Sequence, residues 1–228
     1  MMSPLTFRVD PASGAPVARQ FHATRLVIAG WAGRDNTALH HHIDELAALG
    51  VAPPSRTPLF YAASAGLLTQ EADLQMLGPD SSGEVEPLLL VTEEGVLVGV
   101  GSDHTDRRAE AWSVPHAKQL CPKPVASVVW RFAEVASHWD RIVLRSWIPA
   151  EDGGWTLYQE GAVSGLRRPD DLADLAGDLG PGTAMLCGTL GAFGGIRPAA
   201  AFRMELHDPV LGRTIEHRYR VSCLPIVV

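Results

Sequence analysis

The residues best suited to chemistry in this sequence are three carboxylates that flank two short apolar runs. Glu84 and Glu86 stand one residue apart just before the run LLLV, and Asp103 follows the run VLVGV. Because alternate residues of a strand point to the same side, Glu84 and Glu86 are expected to share one face. Three converging carboxylates repel one another unless a cation lies among them. An all-oxygen donor set suits Mg²⁺, Mn²⁺ or Ca²⁺ better than Zn²⁺.

A predicted β-hairpin is the element that brings these carboxylates together. Residues 93–95, Glu-Glu-Gly, separate two runs of strand-forming residues, as is typical of a tight turn. A hairpin returns its second strand beside the first, so Asp103 is expected to approach the two glutamates. Pro87 lacks a ladder donor and is expected at a sheet edge or a bulge. A solvated hairpin with acidic ends is the alternative interpretation.

A second candidate for chemistry is a helix predicted over residues 36–50. Asn36 and Thr37 are suitable N-caps, apolar residues recur at helical spacing, and Gly50 ends the pattern. The helix carries the consecutive histidines 40–42, followed after Ile43 by Asp44 and Glu45. Histidine and carboxylate three or four residues apart share a helix face, where the carboxylate can make the imidazole a better base. A solvated polar helix face explains the same residues without any chemistry.

The remaining elements are predicted to be mostly short strands. The predicted strands cover residues 4–9, 25–29, 141–147, 155–158, 183–189, 201–207 and 214–221. Residues 127–139 have the apolar spacing of an amphipathic helix. A short helix begins at Pro169, with Leu172 and Leu175 facing inward. Many strands with few helices indicate an α+β fold, a mixed β-sandwich or roll with peripheral helices, rather than alternating βαβ units.

Two segments between these elements have weaker patterns. Residues 69–77 are expected to form a helix or a turn, and residues 107–124 are expected to be irregular. The sequence shows no internal repeat and no linker, so residues 1–228 are predicted to form a single domain. Within it, residues 1–35 supply N-terminal strands and a loop, the helix 36–50 covers the site, and residues 51–228 form the core.

Composition excludes several classes of function. The formal net charge of the 228 residues is −7, which argues against nucleic acid as a partner. No stretch is long and apolar enough for a transmembrane helix, and the N-terminus lacks the pattern of a secretory signal. Cys121, Cys187 and Cys223 are far apart and show no metal-type spacing, so they are expected to be reduced thiols. A cytoplasmic protein without membrane contact is predicted.

The order of several motifs resembles that of the fumarylacetoacetate hydrolase family. That family shows a Glu-x-Glu strand, a Gly-Asn-Asp after the hairpin, a lysine ahead of Cys-Pro, a Gln-x-Gly, and a Gly-Thr-Pro-x-Gly turn. The corresponding segments here are 84–86, 101–107, 118–122, 158–161 and 186–191. The likeness covers roughly residues 36 to 222. The sequence departs from the family at Pro87, at Ser102 in place of asparagine, and at Leu190 in place of proline.

This resemblance implies roles for individual residues. It implies that Glu84, Glu86 and Asp103 are the metal ligands, in agreement with the hairpin geometry. The expected metal is Mg²⁺ (or Mn²⁺ or Ca²⁺). It also implies that His42 and Glu45 form the His-x-x-Glu pair of a lid helix, which handles a catalytic water. The registers His41 with Asp44 and His40 with Asp44 stay open.

The same resemblance implies residues that contact the substrate. Lys118 matches the active-site lysine, Gln159 a substrate-contacting glutamine, and Thr189 a threonine that binds the substrate carboxylate. Arg34 is assigned by position alone, because it lies in the loop ahead of the lid helix and is suited to pair with a substrate carboxylate. An ordinary surface arginine is the alternative for that residue.

Together these residues predict a metal-dependent hydrolase that cleaves a C–C bond in a small acylpyruvate-like oxo acid through a metal-stabilised enolate. The family scaffold also supports decarboxylation, hydration and isomerisation, and the fold does not choose among them. A non-catalytic ligand-binding relative is the alternative from a different class. The family habit further implies a homodimer.

Overall fold

The structure, a computed structural model, describes residues 3–35, 37, 53–177 and 179–227, and its regular elements are mostly strands. In chain order these are β1 (Leu5–Val9), β2 (Val17–Phe21), β3 (Arg25–Gly30), β4 (Leu59–Ala63), β5 (Leu68–Thr69), β6 (Asp73–Leu77), β7 (Ser81–Ser82), β8 (Val85–Thr92), β9 (Gly95–Ser102), β10 (Thr105–Asp106), β11 (Lys123–Pro124), β12 (Val128–Arg131), β13 (Val143–Pro149), β14 (Trp155–Ala162), β15 (Thr183–Leu186), β16 (Ala201–Asp208) and β17 (Arg213–Leu224).

Helices are few and short in the described part of the chain. The α-helices are α1 (Arg107–Glu110), α2 (Val114–Gln119), α3 (Phe132–Val135) and α4 (Pro169–Ala176). Single 3₁₀ segments cover Ala65–Leu67, Ala136–Arg141 and Val163–Gly165. Many strands with few helices confirm the predicted α+β class. None of the helices described is long and apolar enough to cross a membrane.

The strands form two large mixed sheets. An eight-stranded sheet has the order β2-β1-β12-β9-β8-β15-β3-β4, and a five-stranded sheet has the order β14-β13-β16-β17-β6. Two small pairs, β10-β7 and β11-β5, lie beside them. Most pairs are antiparallel, but β1 with β12, β15 with β3, β17 with β6 and β11 with β5 are parallel. The hairpin β8–β9 is therefore at the centre of the larger sheet, where both faces are covered by protein.

Apolar side chains from both sheets form the main core. Val98 and Trp130 of the eight-stranded sheet join Met204, Ile215 and Tyr219 of the five-stranded sheet in one buried cluster. A second cluster, which includes Leu88 and Leu90, covers the other face of β8. Strand β8 is buried along residues 85–90 for this reason. Any charged group on this stretch is consequently held away from bulk water.

The central hairpin has the form that the sequence predicts. Thr92 pairs with Gly95 across the turn, and Val85 pairs with Ser102 at the open end. Gly95 adopts a φ of +119°, which suits glycine and not other residues. The Asp103 N–H donates to the Glu84 carbonyl at 3.0 Å, so the ladder extends one step past the strand ends. This extra step aligns the two ends of the hairpin.

The predicted helix over residues 127–139 is wrong in its first part, whereas its second part is a short α-helix followed by a 3₁₀ segment. Its first part is strand β12, which lies between β1 and β9, and only Phe132–Val135 is α-helical. Val129 and Trp130 are both fully buried, but they belong to core clusters on opposite faces of the sheet. Neighbouring residues that are buried on opposite faces require a strand, so tertiary burial overrides the helical spacing.

Four smaller expectations are also corrected. Residues 73–77, within the segment expected to be helix or turn, form an edge strand whose side chains alternate between buried and exposed. The expected irregular segment contains helices α1 and α2. In α4, Leu172 is buried as predicted, but Leu175 is 53% exposed. Strand β15 ends at Leu186, three residues earlier than predicted, and residues 187–189 leave the ladder.

Pro87 is on a central strand, not at the edge or bulge that its chemistry predicted. It pairs with Val100 on β9, and its carbonyl accepts from the Cys187 N–H at 3.0 Å on the other side. Strand β15 has ended at Leu186, so the proline nitrogen faces the chain just beyond the paired region. The sheet tolerates the missing donor because β8 extends past its neighbour at this point.

Candidate metal centre

Glu84, Glu86 and Asp103 converge, as the sequence predicted. One carboxylate oxygen from each residue lies within 4.8 Å of the others. We call these three residues the carboxylate centre. Glu86 is 2% exposed and Asp103 is fully buried, whereas the Glu84 side chain keeps 14% of its exposure. The centre is therefore reached from the side of Glu84.

Backbone groups from a neighbouring turn fix the orientation of Glu86. The Gly188 N–H donates to Glu86 Oε2 at 2.7 Å. Gly188 has a φ of +90°, and a Cβ at this position would lie 2.7 Å from Ala32 Cβ. Only glycine satisfies both constraints, so the turn after β15 brings its backbone against the carboxylate without a side chain between them.

Three basic side chains surround the carboxylate centre. Lys118 forms a close ion pair with Asp103 Oδ2. Lys123 Nζ lies 2.8 Å from Asp103 Oδ1, and Arg107 Nη2 lies 3.3 Å from Glu84 Oε1. Lys123, which sequence reasoning left without a role, is completely buried. The sequence did contain an indication of its role, because Lys118 and Lys123 are the only lysines among the 228 residues and stand five positions apart.

The three carboxylates have different proton affinities. Burial raises the pKa of Glu86 well above its ordinary value, and the neighbouring Asp103 carboxylate raises it further. Burial also raises the pKa of Glu84, although Arg107 opposes this effect. For Asp103 burial is again the largest influence, but Lys118 and Lys123 together outweigh it and lower the pKa. Asp103 therefore holds a proton less tightly than an ordinary carboxyl group, whereas Glu86 holds one more tightly.

These residues fit a hard divalent cation. The donor set consists of carboxylate oxygens alone, which is the chemistry that Mg²⁺, Mn²⁺ and Ca²⁺ prefer. Asp103 Oδ1 is buried and receives no hydrogen bond of good geometry, although the Lys123 ammonium is close to it. The repulsion that raises the pKa of Glu86 is the kind that a cation relieves. The centre therefore has both the donor atoms and the electrostatic requirement of a metal site.

A buried hydrogen-bond network supports the open end of the hairpin. Tyr219 of the five-stranded sheet bonds through its hydroxyl to Ser102 Oγ and to His104 Nδ1, at 2.9 Å each. His104 Nε2 lies 2.9 Å from Ser81 Oγ, and Ser102 Oγ accepts from the Glu84 N–H at 3.2 Å. Burial lowers the pKa of His104 to about 3, so this imidazole is neutral. Ser102, an unusual residue at this position for the resembled family, has a supporting role.

Comparison with known proteins identifies the family. Residues 29–219 match the model of a family described as a protein of unknown function, DUF2848. The chain belongs to the DUF2848 family. The comparison with curated proteins gives no match.

Solved structures similar to this DUF2848 protein share its fold across most of its length. A protein from Oleispira antarctica, provisionally assigned as a fumarylacetoacetate isomerase/hydrolase, aligns with a TM-score of 0.64 and 16% identity over 94% of this chain and 99% of that chain. A fumarylacetoacetate hydrolase family protein from yeast gives 0.64 and 16%, with 90% and 96% covered.

A third solved structure is a 2-keto-3-deoxyarabinonate dehydratase. It aligns with a TM-score of 0.61 and 13% identity over 91% of this chain and 77% of that chain. These structures confirm the predicted resemblance at the level of the fold, with sequences that have diverged far.

Gln159 and Thr189 lie beside the carboxylate centre, where their polar atoms bond to the protein. Gln159 Oε1 accepts from the Val85 N–H at 3.1 Å and from Ser146 Oγ at 2.9 Å. Its Nε2 donates to Thr189 Oγ1 at 2.8 Å and to the Leu190 carbonyl. Thr189 Oγ1 donates in turn to the Val85 carbonyl at 2.7 Å. Both side chains hold the start of β8 against the turn after β15.

Arg34 is directed away from the carboxylate centre, and the predicted His42–Glu45 pair is not among the described residues. Arg34 forms a two-point ion pair with Asp140, at 2.8 and 2.9 Å, and its Nε donates to the Leu166 carbonyl at 3.0 Å. Its guanidinium is therefore directed to Asp140 and not to the carboxylate centre. His42 and Glu45, with the rest of the predicted lid helix from 38 to 50, lie outside the described residues.

Proposed function

We propose that this protein is a divalent-metal-dependent enzyme that hydrolyses a C–C bond in a small acylpyruvate-like oxo acid. The convergence of three carboxylate oxygens within 4.8 Å, two of them from buried residues, is the observation that carries the proposal. The shared fold supports it, because two structures with this fold are named as fumarylacetoacetate hydrolase or isomerase proteins. Mg²⁺ is the preferred ion, with Mn²⁺ or Ca²⁺ as substitutes.

The chain's own residues divide the work in this proposal. Glu84, Glu86 and Asp103 would hold a divalent cation, which would act as a Lewis acid and favour the enolate form of an α-oxo carboxylate. Lys118 supplies positive charge for an anionic substrate oxygen. Gln159 and Thr189, whose polar atoms bond to β8 and to each other, position the wall of the site.

Hydrolysis needs a base for water, and His42 oriented by Glu45 takes that role. The imidazole accepts a proton from water as the water oxygen bonds to the distal carbonyl carbon. The C–C bond then breaks, the electron pair remains on the pyruvyl fragment as an enolate, and that fragment gains a proton. The products are a carboxylic acid and a 2-oxo acid, and no oxidant or reductant is consumed.

A second candidate is a lyase or isomerase reaction through the same enolate. The similarity to a structure named 2-keto-3-deoxyarabinonate dehydratase favours this alternative. Decarboxylation forms the enolate by loss of CO₂, whereas dehydration and isomerisation form it by loss of a proton from the carbon next to the oxo group. All three need the carboxylate centre but not an activated water. A non-catalytic ligand-binding relative would retain the centre without turnover.

A ligand-dependent thermal melt tests the metal and the substrate class together. We expect Mg²⁺ or Mn²⁺ to raise the melting temperature, and oxalate, which mimics a planar enolate, to raise it further only when metal is present. The matched control is the Glu86→Ala variant, for which neither rise is expected. An equal rise in wild type and Glu86→Ala would contradict the metal proposal.

Turnover then distinguishes the reactions. A panel of acylpyruvates and oxaloacetate, followed by loss of enol absorbance, should identify a substrate. The His42→Ala variant is expected to lose C–C hydrolysis while it retains the metal-dependent melt. If His42→Ala kept full turnover, a lyase or isomerase reaction would replace hydrolysis as the proposed function. The homodimer, which light scattering measures, and the cytoplasmic location stay predictions.

A further inference from the structure

Two ammonium groups share one carboxylate at the carboxylate centre. Lys118 contacts Asp103 Oδ2, and Lys123 lies 2.8 Å from Asp103 Oδ1. Both oxygens of Asp103 therefore have a cationic neighbour. A divalent cation that takes Asp103 as a ligand must share this carboxylate with the two lysines or displace one of them.

The two lysines differ in how tightly they are held. Lys123 is fully buried on β11, and its ammonium also contacts the carbonyl of His104. That strand pairs with β5, which fixes the backbone on which Lys123 stands. Lys118 retains 7% exposure and lies in the last turn of the short helix α2. Its only hydrogen bond among the described residues goes to Asp103.

The two lysines also differ in what they face. Burial disfavours the charged form of Lys118, but Asp103, Glu84 and Glu86 outweigh that cost and raise its pKa. The Lys118 ammonium thus interacts with all three carboxylates, as a bound cation would. The Tyr61 ring lies on its other side, with the centroid 5.8 Å from Nζ. Lys123 instead contacts Asp103 and a backbone carbonyl.

We propose that Lys118 is a displaceable counter-ion, which yields Asp103 to the divalent cation, whereas Lys123 is a permanent anchor of the same carboxylate. This inference rests on the proposed function, since it concerns the same metal. Once displaced, the Lys118 ammonium has lost its partner and is free to pair with an anionic oxygen of a chelating ligand. Metal and anion consequently strengthen the binding of each other, and metal alone binds weakly.

Calorimetric titration with Mn²⁺ tests this difference between the lysines. Wild type, Lys118→Met and Lys123→Met are compared with and without oxalate. In Lys118→Met we expect Mn²⁺ alone to bind at least about tenfold more tightly, because no buried ion pair must be broken. The strengthening by oxalate that wild type shows should disappear in that variant. In Lys123→Met we expect no tightening, because Asp103 loses its anchor.

Further variants separate displacement from other effects. Lys118→Arg restores the charge and should restore weak binding of Mn²⁺ alone, while Lys118→Gln supplies a second neutral variant if Lys118→Met folds poorly by circular dichroism. Equal Mn²⁺ affinity in wild type and in a folded neutral variant would overturn this inference and leave the metal proposal intact. Equal tightening in Lys118→Met and Lys123→Met would also overturn it, since that result indicates a general field effect. Absence of Mn²⁺ binding from wild type and from both neutral variants at position 118 would instead overturn the proposed function.

Discussion

Two regions of this protein bury acidic side chains, and they do so in opposite ways. In the carboxylate centre, three carboxylates converge within 4.8 Å. At the end of β16, Asp208 is equally buried, but it is a single carboxylate among donors. Both regions remove negative charge from water, which costs free energy unless the charge is paired. The difference is in how that charge is balanced.

Asp208 has a complete set of partners of its own. His138 Nε2 lies 3.1 Å from both carboxylate oxygens, and the N–H groups of Val210 and Leu211 donate to Oδ1 at 3.0 and 3.2 Å. Arg213 Nε lies 3.5 Å from Oδ2. Burial works against ionisation, but the His138 contact and the backbone donors outweigh it and lower the pKa of Asp208. A carboxylate satisfied in this way is a structural element of its sheet.

The carboxylate centre instead retains repulsion that nothing in its fold requires. Glu86 has a raised pKa because burial and a neighbouring anion both oppose its charge. A fold selected for stability alone would not place a second and a third carboxylate there. In the proposed function, the buried like charges belong to the region that binds a metal ion, whereas the paired charge of Asp208 holds its sheet together.

The largest expected effect comes from breaking the satisfied region. Asp208→Ala leaves His138 and two backbone donors without their acceptor, so we expect a loss of about 3–5 kcal/mol in the free energy of unfolding. Mn²⁺ affinity should stay within about twofold of wild type, a margin well below the tenfold that 1.4 kcal/mol produces. Chemical denaturation and calorimetry measure the two quantities. A loss of metal affinity at full stability would reverse the roles assigned to the two regions.

Removing one charge from the carboxylate centre should have the opposite result: weaker metal binding without a loss of stability. Glu86→Gln keeps an acceptor for the Gly188 N–H but removes a ligand charge. We expect Mn²⁺ affinity to fall by about 100-fold or more. This exceeds the loss of about 10–100-fold that is typical when a residue hydrogen-bonded to a metal ligand is replaced. The metal-free variant should melt higher than wild type, because the repulsion is relieved. A lower melting temperature would show that the Glu86 charge supports the fold.

The pH dependence of metal binding should separate the two regions further. Below the raised pKa of Glu86, the cation must displace a proton, so affinity should rise with pH by up to about tenfold per unit above the ordinary carboxyl range. The pKa of Asp208 is lowered, so its ionised form stabilises the fold at every pH above the ordinary carboxyl range. This stabilisation is lost only as the pH falls below that range. The control is the free energy of unfolding of the Glu86→Gln variant, measured over pH 5 to 8. A flat affinity profile would contradict the raised pKa of Glu86.

The smallest effect is expected at Arg34, which pairs with a partly exposed Asp140 outside both regions. Arg34→Gln should cost about 0.5–1 kcal/mol of stability, as exposed ion pairs do. Asp140→Asn removes the same pair and is the matched control. If Arg34→Gln raised the KM for a substrate while Asp140→Asn did not, Arg34 would bind substrate, as its position in sequence predicted.

The sequence predicted the hairpin and the carboxylate centre because both depend on local rules. Strand periodicity fixes which side Glu84 and Glu86 share, and a two-residue turn fixes the distance at which Asp103 returns. The family resemblance was likewise visible in the order of motifs and is confirmed at the level of the fold. The roles of the individual site residues stay predictions, with His42 and Glu45 outside the described residues.

Only the tertiary structure decided which cations neutralise those carboxylates. Lys123 stands twenty residues after Asp103 and reaches it because β11 pairs with β5, a contact that no local pattern encodes. The same applies to β12, where Val129 and Trp130 are needed by cores on opposite sheet faces. Periodicity reports which residues are apolar or charged along one element. Packing of elements distant in the chain determines what each charge meets. Here it gives Asp208 a full set of partners and leaves like charges together at the carboxylate centre.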